Sequence, residues 1–503
     1  MAATPRALRG PAARGASADL RTAACKRLAA LALSAAVGAC AALPTRSVPP
    51  PEVALPARWS QGGEPERATA LARWWQRFDD PMLGALVTQA LVANPTVRRA
   101  QAALRQARAL RDVQAAGLWP TVGASASAQR SKAGDAPATN LFQAGFDASW
   151  EPDVFGGQRS ALGASEADAQ ASAATLADTQ VSVAAEVAVT YVQLRGYQAR
   201  LAIARSNLAS QQETAQITDW REQAGLITSL ELAQARTAAE QTQAQIPALE
   251  TSLAQARHAL ALLTARAPDA MQAELEVVAP VPAAPEALAL SLPAQTLRQR
   301  PDVRAAEQQV RAALARVSQA EAARYPSFRI GGSLGVSALV LHALTSGASV
   351  VGALLGSVSV PLFDGGAARA QIRSQDAALE QARVGYQAVV LTALKDVEDA
   401  LVALRGDRER LVHLQLARTS AELAAQLARQ RFSSGLIDFQ SVLETQRSML
   451  ATQDGVATTQ TDLTTDHVRL YKALGGGWQR EEDPKVAGGR QLDDRLGLGT
   501  ISP

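Results

Sequence analysis

The stretch from Gly366 to Leu474 contains no proline, and only one turn-forming segment, Ser433 to Asp438, interrupts it. A set of apolar residues in its first part follows the four- and three-residue spacing of a coiled-coil seam: Val390, Leu394, Val397, Leu401, Leu404 and Leu411. A helix from Gly366 to Arg431 would be roughly 100 Å long, at about 1.5 Å per residue. The glycine turn at Gly435 then predicts a return helix from Phe439 to Leu474. The stretch therefore predicts a long antiparallel helical hairpin.

The same pattern occurs 210 residues earlier in the chain. The residues that recur at the two turns are Arg221, Gly225 and Leu226 in the first copy and Arg431, Gly435 and Leu436 in the second. A long helix is predicted from Gly157 to about Glu222, and its return helix from Ser229 to Thr264. Upstream, residues 94–120 match residues 300–326 at an offset of 206. Two copies of one unit, in the order helix, strand, strand, long helix, turn and helix, thus make up most of the chain.

Between the short and the long helices, the sequence changes to the period of two that is typical of β-strands. Apolar and polar residues alternate from Phe142 to Trp150 and again from Phe328 to Ser337. No Asp, Glu, Lys or Arg occurs between Ile330 and Phe363, a composition that also suits a transmembrane helix. Six glycines and the alternation favour two strands of the length found in membrane barrels. We predict four strands per chain, at about residues 120–152 and 326–361.

Four strands are too few to close a barrel, because outer-membrane barrels start at about eight strands. Open strand edges cannot be left in lipid, where no water can satisfy their backbone groups. Several chains must therefore share one barrel. This argument predicts an oligomer without fixing the number of its chains.

The N-terminal residues have the features of an export signal. Two basic residues precede an apolar run at residues 28–37, and two small residues then lead into Cys40. We predict a signal peptide at residues 1–39, in which residues 1–20 are assigned no structure, and a lipoprotein acylated on Cys40. A signal anchor with a buried cysteine is the alternative, but the run is shorter than the roughly 20 residues of a membrane span. Removing residues 1–39 changes the formal net charge from +3 to about −2, which disfavours a nucleic-acid partner.

No motif predicts catalysis, a cofactor or a metal site. The four histidines are scattered, and none has the spacing of a metal-binding motif. The glycines from Gly331 to Gly335 precede a strand and not a helix, so they do not suit a phosphate-binding loop. We therefore predict that the chain is not an enzyme.

Several segments resemble the outer-membrane factor family of TolC, in the lipoprotein branch of OprM and NodT. They are the opening Trp74 to Pro81, the segment Ile246 to Glu250, the paired glycine turns and the closing Tyr471 to Trp478. The resemblance covers about residues 40–480. It implies an α+β membrane protein that forms a homotrimer. Its long helical hairpins would form a periplasmic α-barrel that continues into a shared 12-stranded transmembrane β-barrel, with four strands from each chain.

The resemblance also implies a function and partners. Members of the family are exit ducts of tripartite efflux systems, which conduct drugs or other toxic small molecules passively from an inner-membrane pump to the exterior. Their partners are a periplasmic adaptor, or membrane fusion, protein and an inner-membrane transporter driven by proton flux, here expected to be of the RND type. Two alternatives are a duct for polypeptide secretion and a structural coiled-coil lipoprotein that conducts nothing. The predicted strands disfavour the second alternative.

On this resemblance the chain divides into a signal peptide and five further segments. These are a lipidated linker with an equatorial segment (40–80), repeat 1 (81–265), an inter-repeat equatorial linker (266–293), repeat 2 (294–474) and a C-terminal equatorial segment with a tail (475–503). The family carries a periplasmic gate in the second hairpin, which falls here on Glu444, Gln440 and Phe432. We further predict that the turn residues Arg221, Gly225, Leu226, Arg431, Gly435 and Leu436 contact the adaptor.

Overall fold

The computed structural model describes residues 55–56, 58–60, 71–283, 297 and 299–478. The predicted signal peptide, Cys40 and most of the linker that follows it lie outside these residues, as do most of 284–298 and the C-terminal residues 479–503. The chain forms two compact units. One contains Asp112–Ala164 and Ala313–Leu379, and the other contains Pro50–Arg111, Ser165–Ala312 and Glu380–Pro503. Each unit takes segments from both repeats, so the repeats are not themselves compact units.

The first unit contains one antiparallel sheet with the strand order β1-β2-β3-β4, which confirms the four predicted strands. The strands are β1 (Thr121–Ser131), β2 (Thr139–Trp150), β3 (Ser327–Ala338) and β4 (Val350–Ser359). Phe146 lies opposite Leu334, and Trp150 lies opposite Ile330. Because the side chains of paired residues share a face, the apolar residues of the alternating pattern form one face of the sheet. Within the described part of the chain, the outer strands β1 and β4 each pair with one neighbour.

Two glycines allow β2 and β3 to approach closely. Gly145 and Gly335 are paired across the two strands. A Cβ atom on Gly335 would lie 2.5 Å from the carbonyl oxygen of Ala144, and one on Gly145 would lie 2.9 Å from the Cα atom of Gly335. Since these distances are shorter than van der Waals contact, no larger residue fits here without moving a strand.

Two short helices precede the first pair of strands, namely α1 (Pro81–Ala93) and α2 (Pro95–Ala116). Asp80 caps α1, since its carboxylate accepts a hydrogen bond from the backbone N–H of Leu83 at 3.0 Å. The Tyr191 hydroxyl donates to the same carboxylate at 2.9 Å, and burial raises the pKa of Tyr191 to about 12. Helix α1 therefore begins at Pro81 with its first turn capped by Asp80.

The helical hairpins of the two repeats have equal lengths. The first consists of α3 (Gly157–Gln223, 67 residues) and α4 (Ser229–Leu263, 35 residues). The second consists of α7 (Ala367–Ser433, 67 residues) and α8 (Phe439–Ala473, 35 residues). Between them lie the short α5 (Gln272–Glu276) and α6 (Pro301–Ala322). The predicted long hairpins are confirmed, and every corresponding helix end is offset by 210 residues.

The core of the second unit is built around the aromatic segment that precedes α1. Trp74 is fully buried, and its ring stacks on that of Tyr471 with 5.4 Å between the ring centroids. Trp75 and Phe78 are buried beside it. This cluster joins the N-terminal segment to the last turns of α8. It concentrates several large aromatic side chains of a chain in which only 4% of the residues are aromatic. Among residues 71–283 and 299–478, we find no helix that combines the length and the apolar content needed to cross a membrane.

Candidate functional site

The turns at the tips of the two hairpins have the same backbone geometry. Gly225 and Gly435 adopt left-handed conformations, with φ of 69° and 72°. The backbone N–H of Leu226 donates to the carbonyl of Arg221 at 2.9 Å, and that of Leu436 donates to Arg431 at 2.8 Å. These bonds define a Schellman motif, which ends a helix and in which glycine is favoured. The glycines at the two turns therefore have a structural role.

Arg221 connects the two turns. Its guanidinium group donates to the carbonyl oxygens of Phe432 and Ser433, both at 3.3 Å, and lies 4.5 Å from the centroid of the Phe432 ring. The carbonyls at the end of a helix lack partners within the helix and carry the negative end of its dipole. Arg221 thus satisfies the end of α7 from the first hairpin, a role that sequence reasoning did not assign to it.

The other predicted tip residues lie on the surface of the chain. Leu226 and Leu436 are 72% and 74% exposed. Arg431 is also exposed, and its side chain forms no hydrogen bond or ion pair within the described part of the chain. Each turn therefore presents one exposed leucine. The two arginines differ, because the Arg221 side chain binds the second turn, whereas the Arg431 side chain binds no residue in the described part of the chain.

Phe432 belongs to a small apolar cluster just behind the turns. Its ring centroid lies 5.4 Å from that of Phe439, which is 1% exposed. The cluster contains Ala235, Ala238, Ala428, Phe439, Val442 and Leu443, and Ala215, Phe432 and Ile437 pack against it. Phe432 is thus held between the helices by this cluster and by Arg221.

Gln440 and Glu444, the other two predicted gate residues, lie one helical turn apart on α8, and both are exposed. The residues between and beside them, Val442 and Leu443, are buried. Asp438 caps the helix, accepting from the backbone N–H of Ser441 at 2.9 Å. The hydrogen bonds from Ser441 lower the pKa of Asp438. The structure therefore places Gln440 and Glu444 on the exposed side of α8, whereas Phe432 packs on the buried side of that helix against Phe439.

A row of polar contacts joins the two hairpins along their length. Arg200 forms a salt bridge with Asp454 at 2.6 Å, Asn207 donates to Gln453 at 2.8 Å, and Gln446 donates to Thr214 at 3.0 Å. With Arg221, the α3 members of this row recur every seven residues, at positions 200, 207, 214 and 221. Sequence reasoning missed these contacts, although the polar seven-residue spacing was a signal for them.

A cavity of about 380 Å³ lies in the second unit, where the N-terminal end of α6 and the C-terminal end of α8 meet interior segments of α3 and α7. Charged residues line it. Arg300 donates to Asp302 at 2.7 Å and to the carbonyl of Ala473 at 2.9 Å. Burial raises the pKa of Asp178 and of Asp466. Burial next to Arg408 lowers the pKa of the neighbouring His467 to about 4. Among the described residues, no group of His, Cys, Asp and Glu is arranged to hold a metal ion.

The chain is similar to several known proteins over most of its length. The model of a family described as outer membrane efflux protein matches residues 86–266 and 292–476. Nodulation protein T of Rhizobium leguminosarum bv. viciae is 30% identical over 471 residues, which cover 92% of this chain and 96% of that protein. The pyoverdine export outer membrane protein OpmQ of Pseudomonas putida (strain KT2440) is 33% identical over 475 residues, covering 91% and 98%. The solved structure of the outer-membrane channel OprN superposes with a TM-score of 0.79 at 33% identity and covers 87% of this chain and 99% of its own.

Proposed function

The chain belongs to the outer membrane efflux protein family, and we propose that it is the exit duct of a tripartite efflux system. It is an outer-membrane efflux channel. The observation that carries this function is the combination, in one chain 33% identical to the channel OprN, of four antiparallel strands with two long helical hairpins. In this proposal drugs or other toxic small molecules pass through the duct to the exterior without a catalytic step.

Three copies of the chain form the duct in this proposal. Among the strands that the structure describes, β1 and β4 each have one unpaired edge, and such an edge needs a partner in lipid. Three four-stranded sheets supply the 12 strands of one closed barrel, which exceeds the minimum of about eight. The helical hairpins continue this barrel into the periplasm, and Cys40 carries the lipid anchor.

The turns of the hairpins are the proposed contact surface for the periplasmic adaptor protein. Leu226 and Leu436 support this assignment, because an exposed leucine at each turn offers an apolar contact to a partner. Arg221 contributes indirectly by holding the second turn in place. The adaptor in turn connects the duct to an inner-membrane transporter, which we expect to be of the RND type and driven by proton flux.

Gln440 and Glu444 are the proposed gate. Their exposure on α8 leaves them free to face the lumen, where three copies of Glu444 would form a ring of carboxylates. Phe432 supports this gate from behind in our proposal, because it packs between the helices instead of sharing the exposed face with the other two.

The experiment for the proposed function combines a channel recording with a susceptibility assay. Purified protein should migrate as a trimer in detergent and give discrete current steps in a planar bilayer. Deleting the gene should lower the inhibitory concentration of at least one toxic compound, and a plasmid copy should restore it. A trimer that carries no current, in cells whose susceptibility is unchanged by the deletion, would instead support a structural lipoprotein.

A further inference from the structure

The two faces of the four-stranded sheet differ in composition. One face carries the large apolar residues of the alternating pattern, among them Phe146, Leu334 and Leu354. On β1, β2 and β3 the opposite face carries mainly small or polar side chains, among them Ser125 and Asp147. In the proposed trimeric barrel the first face meets lipid and the second lines the lumen, because strands of outer-membrane barrels alternate between lipid and lumen. We call the second face the lumen face.

Strand β4 departs from this pattern, since its residues 350–355 carry no polar side chain on either face. Val351, Ala353 and Leu355 lie on the lumen face, where Val351 pairs with Gly335 and Leu355 pairs with Gly331. Val351 and Leu355 are 51% and 66% exposed. The three residues extend over roughly 14 Å of the strand, at about 3.4 Å per residue. We call Val351, Ala353 and Leu355 the β4 stripe.

Glycines form the surface beside the β4 stripe. Gly331 and Gly335 of β3 lie next to it, and Gly145 of β2 lies opposite Gly335. A Cβ atom on Gly331 would lie 3.8 Å from the nearest atom, the carbonyl oxygen of Ala148. Since this is an ordinary van der Waals distance, a side chain would fit there. The glycines therefore leave a shallow depression along the stripe.

Asp147 provides a negative charge on the far side of this depression. It pairs with Ser333, which in turn pairs with Ala353 in the middle of the stripe. Asp147 is thus two strand spacings, or roughly 10 Å, from the stripe. Its carboxylate is exposed and accepts a hydrogen bond from the Ser125 hydroxyl at 3.1 Å. Asp147 is the only acidic residue in β1 to β4, and no Lys or Arg pairs with it in the described part of the chain.

We propose that the β4 stripe and Asp147 form a binding site on the lumen face for amphiphilic organic cations in transit. The apolar body of the solute covers Val351 and Leu355, and its cationic group lies near Asp147. The separation of roughly 10 Å matches a molecule that carries its positive charge a few bonds from an aromatic or branched apolar group. Such a site is open and shallow, so it binds weakly and releases the solute, as conduction requires.

The position of the stripe determines what can cover it. Lipid contacts the opposite face of the same strand, through Val350 and Leu354. A second copy would pair with the backbone edge of β4 and would leave both faces open. The remaining contents of a lumen are water and solutes, and only a solute with an apolar part gains free energy by covering the stripe. The inference rests on the proposed trimeric duct and specifies a class of solute that its wall retains.

The first test asks which face is open to the lumen. Leu355→Cys and Leu354→Cys, each in a background that lacks Cys25 and Cys40, are treated as trimers in lipid nanodiscs with a charged maleimide that does not enter lipid. We expect Leu355→Cys to react about tenfold faster or more, because neighbouring side chains of a strand point to opposite faces. An unreactive Leu355→Cys would show that lipid or another segment covers the stripe, and would overturn the site.

The second test measures binding. Ser333→Cys lies between the stripe and Asp147, so a bound solute should slow its reaction with the maleimide. We expect phenylpropyltrimethylammonium to protect this cysteine. Tetramethylammonium lacks the apolar body and phenylpropanesulfonate has the opposite charge, so each should need a concentration about tenfold higher for the same protection.

Substitutions on the two faces of β4 provide a matched pair in the Ser333→Cys background. Val351→Thr keeps the shape of the side chain and adds a hydroxyl, and it should raise the concentration for half protection about fourfold, as should Asp147→Asn. Val350→Thr makes the same change on the lipid side and should leave this concentration unchanged. Equal protection with and without Val351→Thr and Asp147→Asn would overturn the site and leave the duct in place. A wild-type protein that forms no trimer and carries no current would instead remove the proposed function on which the site rests.

Discussion

Glu444 is an exposed carboxylate on α8, and the corresponding position of the first hairpin holds Gln234. A ring of carboxylates in a narrow duct attracts cations. We expect Glu444→Gln to lower cation selectivity and to weaken block by multivalent cations in single-channel recordings. We expect Gln440→Ala, which removes the neighbouring side chain, to raise conductance. Glu240→Gln, which removes an exposed carboxylate from α4, is the control. Equal cation selectivity in the wild-type, Glu444→Gln and Glu240→Gln channels would reject the gate.

His467, on α8, makes the stability of the second unit depend on pH. Its pKa is lowered from 6.5 to about 4 by burial next to Arg408. The folded protein therefore resists protonation, and its stability should fall as pH drops from about 6.5 to about 4, by at most about 3 kcal/mol. His467→Gln should flatten this slope of Tm against pH, whereas His413→Gln, at an exposed position of α7, should not. Parallel slopes for wild type and His467→Gln would contradict the assignment.

The roles of single residues were only partly predictable from the sequence. The glycines of the turns were identified, because a helix end followed by a reversal requires a residue that tolerates positive φ. The contacts of Arg221 were not, since its acceptors lie more than 200 positions away in the chain. The inward packing of Phe432 was also missed, because an aromatic residue before a turn can face either way.

Among the structural elements, the pair β2 and β3 is sensitive to side-chain size at Gly335. Gly335→Val would place a Cβ atom 2.5 Å from the carbonyl oxygen of Ala144. We expect the folded barrel to lose about 1–3 kcal/mol per chain, the usual cost of overpacking. The measurement is the temperature at which the heat-modifiable band converts to the unfolded form. Gly356→Val on β4, where a Cβ atom would meet no other atom within 4 Å, should change this temperature much less.

The second turn offers a test of the adaptor surface. Gly435→Val forces a branched residue into a left-handed conformation, at a cost of roughly 1–2 kcal/mol. The distortion stays at the turn, because no atom lies within 4 Å of a Cβ atom there. We expect cross-linking to the adaptor to weaken while the trimer persists. Gly406→Val, in the middle of α7, is the comparison, and loss of the trimer in Gly435→Val would favour a purely structural role for the turn.

Helices and strands were the most predictable part of this chain. The absence of proline from 366–474 and the coiled-coil spacing located α7 and α8, and strict alternation located the strands. The connections between elements were less predictable. Arg200 and Asp454 are 254 positions apart, and the seven-residue polar spacing that includes Arg200 marks a contact face without identifying its partner on α8.

At the scale of the whole molecule, Cys40→Ser tests what holds the protein in the outer membrane. We expect this variant to lose its acyl chains and still to fractionate with the outer membrane. The reason is that a lipid chain gives limited and reversible affinity, whereas a closed barrel spans the bilayer. Fractionation of membranes after metabolic labelling with palmitate would measure both effects. Soluble Cys40→Ser protein would contradict a membrane-spanning barrel.

The constant offset of 210 residues between the hairpins has a consequence for how such a chain can evolve. A deletion of one heptad from α7 alone would shorten that arm by about 10 Å and leave its turn out of step with the turn of α3. Changes in duct length are therefore tolerated only when they occur in all four arms together. The segments before the strands are free of this restriction, since residues 94–120 and 300–326 are offset by 206 and not by 210. Among related chains we therefore expect insertions to lie between the strands, and the two hairpins to keep equal lengths.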